Sequence, residues 1–247
     1  MTAAERRRFM AALLLETTRQ LPRMLLARAG VWSSGPDPSR ITCPDTPFAT
    51  RVIEATAHLE PMPLQHCLRS YLFARALAAA EQVHLDDEAV FAACLLHDLA
   101  FPSTEEPCAD RCFALRGAEL AEAVLEDSPL SAAQRHAVLD AITLHLNPHV
   151  TSDRGELQRL VHDGILADVM GVRAWEMDRA GFERVSEMHP RHAWNHRGPV
   201  GFCAHASRFP QSRAAAAVRC GFALSVRMSP GYALEVSTLD RDALHRA

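Results

Sequence analysis

Apolar residues along this chain recur at three- and four-residue spacings, and no stretch alternates apolar and polar residues over a useful strand length. The pattern predicts helices throughout. Residues 3–29 form an amphipathic helix with Leu14, Leu21 and Leu25 at helical spacings, and Pro22 is placed to kink it. A loop rich in Gly, Ser and Pro follows. A short helix over 46–59 is opened by Asp45 or Thr46, with Pro47 in its first turn. Pro61 and Pro63 open the next helix, which runs to about Val83. Asp86, Asp87 and Glu88 supply an N-cap and first-turn acids for an apolar helix centred on Val90–Phe101.

After a loop from Pro102 to Asp110, residues 111–126 read as a helix with Phe113, Leu120 and Val124 as core candidates. Ser131 and Gln134 form a capping box for a helix ending near Leu146, where Asn147-Pro148 stops it. Helices follow over 156–172 and 174–190. Residues 191–213 read as irregular, 213–227 as one Ala-rich helix, and Gly231 to Ala247 as peripheral. The fold class expected is all-α, a helical bundle. Its parts are an N-terminal helix and loop (1–44), a central domain (45–200) and a helical C-terminal extension (201–247).

Several polar residues break the apolar stripes. Val90, Cys94 and His97 stand at i, i+4 and i+7, which turns His97 inward, with Asp98 about 100° round the axis. Val138, Ile142 and His145 repeat the spacing, so His145 also faces in. His66, Arg69 and Ser70 share a face with Phe73. Val161, Ile165, Asp168 and Val172 plant an acid on an apolar stripe, and a buried Asp needs a salt bridge or a metal to offset the cost of its charge. Facing helices commonly build metal sites from such side chains. Two imidazoles and two carboxylates, from His66, His97, Asp98 and Asp168, suit one divalent ion: zinc, iron(II) or manganese. A second His-Asp pair, His162-Asp163, lies in a more polar turn.

Composition narrows the rest. At 247 residues and 48% hydrophobic, the chain has ample material for a core, and only 6% is aromatic. All 26 basic residues are arginine, and the net charge of −4 argues against nucleic-acid binding. The seven cysteines show no zinc-finger spacing; Cys108 and Cys112 form a lone C-x3-C, which fits reduced thiols in the cytoplasm. Arg6-Arg7-Arg8-Phe9-Met10 loosely resembles a twin-arginine export motif. Glu16, however, ends the apolar run well short of an export signal's core of about 7–15 residues. No stretch approaches the roughly 20 apolar residues needed to span a membrane. The partners expected are a small-molecule substrate and, as an option, further copies of the chain.

The order His, then His-Asp, then Asp on separate helices resembles the HD-domain metal-dependent hydrolase superfamily. Within it, the chain is similar to the cyanamide hydratase-like branch. A His-Ser-x-Arg-x-Tyr helix is matched by His66-Cys67-Leu68-Arg69-Ser70-Tyr71, with Cys67 in place of the Ser. Leu-Leu-His-Asp is matched by Leu95 to Asp98. Phe113 to Ala118 match Phe-x-x-x-Gly-Ala, Ala141 to His145 match Ala-Ile-x-x-His, and Gly164 to Gly171 match Gly-x-x-x-Asp-x-x-Gly. The matches run in order over about residues 45–175.

The resemblance implies that His66, His97, Asp98 and Asp168 hold one divalent metal in a compact bundle. It implies metal-activated water acting on a small substrate. HD phosphohydrolases often carry a Lys just after the His-Asp pair, whereas Leu99-Ala100-Phe101-Pro102 follows here. That favours hydration of a nitrile- or cyanamide-type compound. The alternatives are a phosphohydrolase of nucleotides or phosphate monoesters, with Arg69 and Arg116 on the phosphate, and a non-catalytic module that binds a small ligand. Asp98, His145 and Arg69 are the candidate catalytic residues. His145 serves as proton shuttle, second-metal ligand or core histidine; Arg69 orients a carboxylate or binds substrate. His149 and a cluster of His189, His192 and His196 are lesser candidates. The bland reading of His66, His97 and Asp98 is a buried hydrogen-bond cluster. Met170, Met177 and Met188 read as core filler.

Overall fold

The computed structural model describes residues 1–59, 61–101, 112–192 and 194–236; for residues 194–196 it describes backbone only. It is an all-α bundle, and no strand occurs among the described residues. The helices are α1 (Ala3–Arg28), α2 (Pro47–Ala55), α3 (Pro61–Ala80), α4 (Asp87–Leu96), α5 (Phe113–Glu126), α6 (Ala132–Leu144), α7 (Glu156–Met170), α8 (Arg179–Met188), α9 (Trp194–Arg208), α10 (Arg213–Arg219) and α11 (Phe222–Met228). The loop from Pro102 to Asp110, with Cys108, lies outside the described residues, as do residues 237–247.

Local chemistry sets the starts of these helices. The Thr46, Asp86 and Ser131 side chains accept from the amides of Ala49, Ala89 and Gln134, and Ser131 with Gln134 completes the capping box. Each is a cap expected from sequence. Helix α1 passes through Pro22 without ending, but its buried residues are Met24 and Ala27. Leu14 and Leu25, expected in the core, are 52% and 47% exposed. Leu120 of α5 and Met188 of α8 are likewise exposed, whereas Phe113 and Met177 are buried.

Helices α3 and α7 share the largest interface of the bundle. Gly164 makes their close crossing possible: a Cβ there would stand 2.6 Å from the Ser70 carbonyl oxygen. Helix α4 is buried on every side, Ala89 through Leu96, and Phe73 of α3 stacks on Phe182 of α8 at 4.7 Å. Being covered all round, α3 and α4 leave their polar residues nowhere to go but inward.

Three stretches depart from the expected elements. Residues 174–190 are a 3-10 turn at 174–176 followed by α8, rather than one helix. Residues 191–213, expected to be irregular, contain α9, which accommodates Pro199 and buries Phe202, His205 and Ala206. The single helix expected over 213–227 is two, because Gly221 at φ +89° ends α10 in a left-handed turn. Ser229 and Pro230 are buried, and Gly231, the first residue expected at the periphery, is buried too: a Cβ on it would lie 2.3 Å from the Arg191 guanidinium. No helix among the described residues is long and apolar enough to cross a membrane.

Candidate metal centre

His97 and His145 are placed by the same device. Each stands one residue beyond a helix, α4 or α6, in right-handed helical backbone. Each Nδ1–H donates to the carbonyl three residues back, His97 to Cys94 at 2.7 Å and His145 to Ile142 at 2.6 Å. Since a carbonyl only accepts, the proton sits on Nδ1 and Nε2 keeps its lone pair. His66 reaches the same state by another route, its Nδ1 donating to Asp168 Oδ2 at 2.7 Å.

The lone pairs of two of these rings then meet. His66 Nε2 and His97 Nε2 are 3.3 Å apart, and Asp98 Oδ2 lies 3.4 Å from His97 Nε2 and 3.9 Å from His66 Nε2. Four ligands around a tetrahedral zinc with bonds of about 2.0–2.1 Å are spaced roughly 3.3–3.4 Å from one another. Two of the three separations match that spacing, and the third, 3.9 Å between His66 Nε2 and Asp98 Oδ2, is about half an ångström longer. Two neutral imidazoles that both donate through Nδ1 would otherwise face each other with repelling lone pairs. His66, His97 and Asp98, all buried, are the group among the described residues that fits an ion. His66 is 1% exposed, His97 1% and Asp98 3%.

Asp168 is not part of this convergence. It is fully buried, and its carboxylate accepts from Arg69 Nε at 2.7 Å and Nη2 at 2.9 Å, from Arg191 Nη2 at 2.7 Å and from His66 Nδ1. Burial alone would push its pKa up, but the Arg191 and Arg69 guanidiniums and the His66 imidazole hold it well below the usual carboxylate range. Asp168 thus meets the requirement for a partner with two salt bridges, and it orients His66 from behind in a carboxylate–histidine arrangement.

Arg69 is an unusual fully buried arginine with no solvent exposure, and its Nη1 donates to the carbonyls of His189 and Pro190. It orients a carboxylate and is not turned to open space. Arg191 was invisible to sequence reasoning, lying in a stretch without periodicity; the demand of Asp168 for counter-charge was its single signal. Burial, together with repulsion from the Arg69 guanidinium, lowers its pKa to about 10 despite the opposing pull of Asp168. Its Nη1 also donates to the Asp168 carbonyl at 3.2 Å.

His145 completes the neighbourhood, its ring 4.9 Å from that of His97 and 5.7 Å from Phe113. Burial, with His97 alongside, holds its pKa well below the usual histidine value. Cys67, standing where the resembled motif has Ser, lies with its Sγ 3.8 Å from His97 Nδ1, and burial raises its pKa well above the ordinary thiol range. It is a neutral thiol packed against the His97 ring.

The lesser candidates fall elsewhere. Arg116 is exposed and pairs with Glu119 on α5 at 3.0 Å. His189 Nδ1 pairs with Gln65 Oε1, His192 is exposed, and the His196 side chain lies outside the description. His149 is exposed at the rim of a cavity. His162 and Asp163, read as a polar pair, are buried, and His162 Nδ1 donates to the His145 carbonyl at 3.1 Å.

The sequence profile of the HD domain family matches residues 64–180, which contain His66, His97, Asp98, His145 and Asp168. No curated protein matches the chain.

Proposed function

We propose that the protein is a metal-dependent HD-domain enzyme that directs activated water at a small, uncharged electrophile such as a nitrile- or cyanamide-type carbon. The observation that carries this is the convergence of His66 Nε2, His97 Nε2 and Asp98 Oδ2, all on buried side chains, at 3.3–3.9 Å. When bound there, a divalent ion such as zinc, iron(II) or manganese lowers the pKa of water toward about 7 and polarises a substrate heteroatom. A donor set of two imidazoles and one carboxylate leaves positions open for both.

The chain's own groups do the rest. Asp168 fixes the tautomer and ring angle of His66, and Arg69 with Arg191 keeps Asp168 ionised. His145, neutral in the apolar interior and with Nδ1 committed to Ile142, accepts a proton at Nε2 and returns it to the product. Leu99 and the apolar wall behind the cluster exclude bulk water. Phosphate chemistry is less well supported. Arg69 is spent on Asp168, and Arg116 pairs with Glu119 at the surface.

The test is elemental analysis of protein purified without added metal. A substrate panel then sets cyanamide, read as urea release, beside an aryl phosphate with added manganese or cobalt. Stoichiometric metal with turnover of cyanamide or a related nitrile upholds the reading. Turnover of the phosphate alone replaces it with a phosphohydrolase, and protein without metal or turnover leaves the cluster as a hydrogen-bonded core.

A further inference from the structure

A cavity of roughly 220 Å³ is lined by His145, whose ring is 4.9 Å from that of His97, and by none of His66, His97 and Asp98. Its floor is His145 and His162, joined through the His145 carbonyl. Its roof is α1, through Leu13, Thr17, Gln20 and Met24, and Phe202 and Phe222 close the far side. None of the roof lies in the 64–180 segment matched by the family profile.

We infer that this cavity is the chamber that selects the substrate, and that it takes a small, uncharged, mostly apolar molecule bearing an N–H or O–H donor. The inference rests on the proposed function for its link to the metal cluster. Size comes first: a dry cavity of about 150 Å³ already binds benzene, so this one accommodates a ring or branched chain with a polar substituent, about ten non-hydrogen atoms.

Charge comes second. Four formally charged side chains line the walls, and each is already answered. Arg159 pairs with Glu81 and Glu156, and Arg173 with Asp163, Glu81 and Glu176. Glu16 accepts from Gln20 Nε2 at 2.7 Å and faces Arg19 at 3.8 Å. No cation is left for a phosphate and no anion for an ammonium group, and an unpaired charge brought into such a site is costly. Thr17, Gln20, Asn147, His149 and Ser225 add neutral polar groups to the wall, and the floor adds an acceptor: His162 uses Nδ1–H on the His145 carbonyl, leaving Nε2 as a lone pair.

The experiment titrates benzamide and phenyl phosphate into the full chain, metal-loaded and chelator-stripped, by isothermal titration and ligand-observed NMR. Metal content and helicity are recorded for every sample. Two variants fill the cavity from different helices, Thr17→Trp on α1 and Ser225→Phe on α11, so that one remains if the other fails to fold. Neither touches the cluster. Benzamide should bind both forms of the wild type and phenyl phosphate neither. At least one folded variant should bind benzamide at least about tenfold more weakly with metal content unchanged. Equal benzamide binding by both variants overturns the assignment, as does preference for phenyl phosphate. Protein that takes up metal but no benzamide also overturns it, while leaving the metal reading intact. Benzamide binding by protein that takes up no metal removes the link between cavity and cluster, and with it the role as substrate chamber.

Discussion

Removing Asp168 should cost more than removing Arg191, and removing both should cost less than removing Asp168 alone. The carboxylate sits between Arg69 and Arg191, which are 0% and 4% exposed, so the cluster buries two cations on one anion. Asp168→Ala strands both guanidiniums. Breaking a buried pair by deleting one partner costs about 3–5 kcal/mol, and with two partners stranded the upper end applies. Arg191→Met keeps the apolar stem, removes the surplus cation and leaves Asp168 bidentate on Arg69. Its cost is that of hydrogen bonds to a charged group, about 1.5–3 kcal/mol. In the Asp168→Ala background the same change removes a stranded charge, so stability is regained. The coupling between the two sites should reach about 3 kcal/mol, the upper end for residues in contact. Urea denaturation followed by far-UV circular dichroism on chelator-treated wild type, both single variants and the double variant measures it. Chelation keeps metal loss from entering the result. Additivity within about 0.5 kcal/mol would refute the reasoning, since it would mean the three groups do not share their charge.

Three further outcomes are expected. His97→Ala should abolish stoichiometric metal by elemental analysis, and chelating the wild type near neutral pH should lower Tm, because ligand at a thousandfold excess over Kd adds about 4 kcal/mol. His145→Ala should retain the metal and lose activity in kcat, by about 10²–10⁴-fold for a lost acid–base group. Metal-stripped protein should lose stability as pH falls below about 6.5, the value an unfolded histidine takes. Burial lowers the pKa of His145 and of His162 in the folded state, so below 6.5 the unfolded chain binds protons that the folded chain refuses, at up to about 1.4 kcal/mol per pH unit for each group. A Tm flat between neutral pH and about pH 5 would contradict that assignment.

What the sequence made legible follows from which forces were local. Thr46, Asp86 and Ser131 cap their helices because capping is settled within four residues. The inward turn of His66, His97 and His145 was readable because helical periodicity carries it. Helix α9 was not, since Gly198 and Pro199 argue against a helix and the burial of Phe202 and Ala206 by distant elements decides the matter. The site divides the same way. Asp168 was recognisable as a buried acid in need of a partner. Whether metal or arginine would answer it depended on Arg191, which comes from another part of the chain with no pattern to announce it.

Arg191 also bears on what counts as a module here. The segment recognisable by family, residues 64–180, ends before it. Beyond Arg191 lies Gly231, whose missing side chain leaves the guanidinium its room. A fragment cut at the family boundaries would keep His66, His97 and Asp98, yet lose one of the two cations that hold Asp168 ionised behind His66. Inheritance and autonomy therefore part company in this protein. The matched segment carries His66, His97 and Asp98, while sequence outside it carries part of the charge that answers Asp168 behind them. Grafting the recognised segment onto another scaffold would transplant a site with its counterweight left behind.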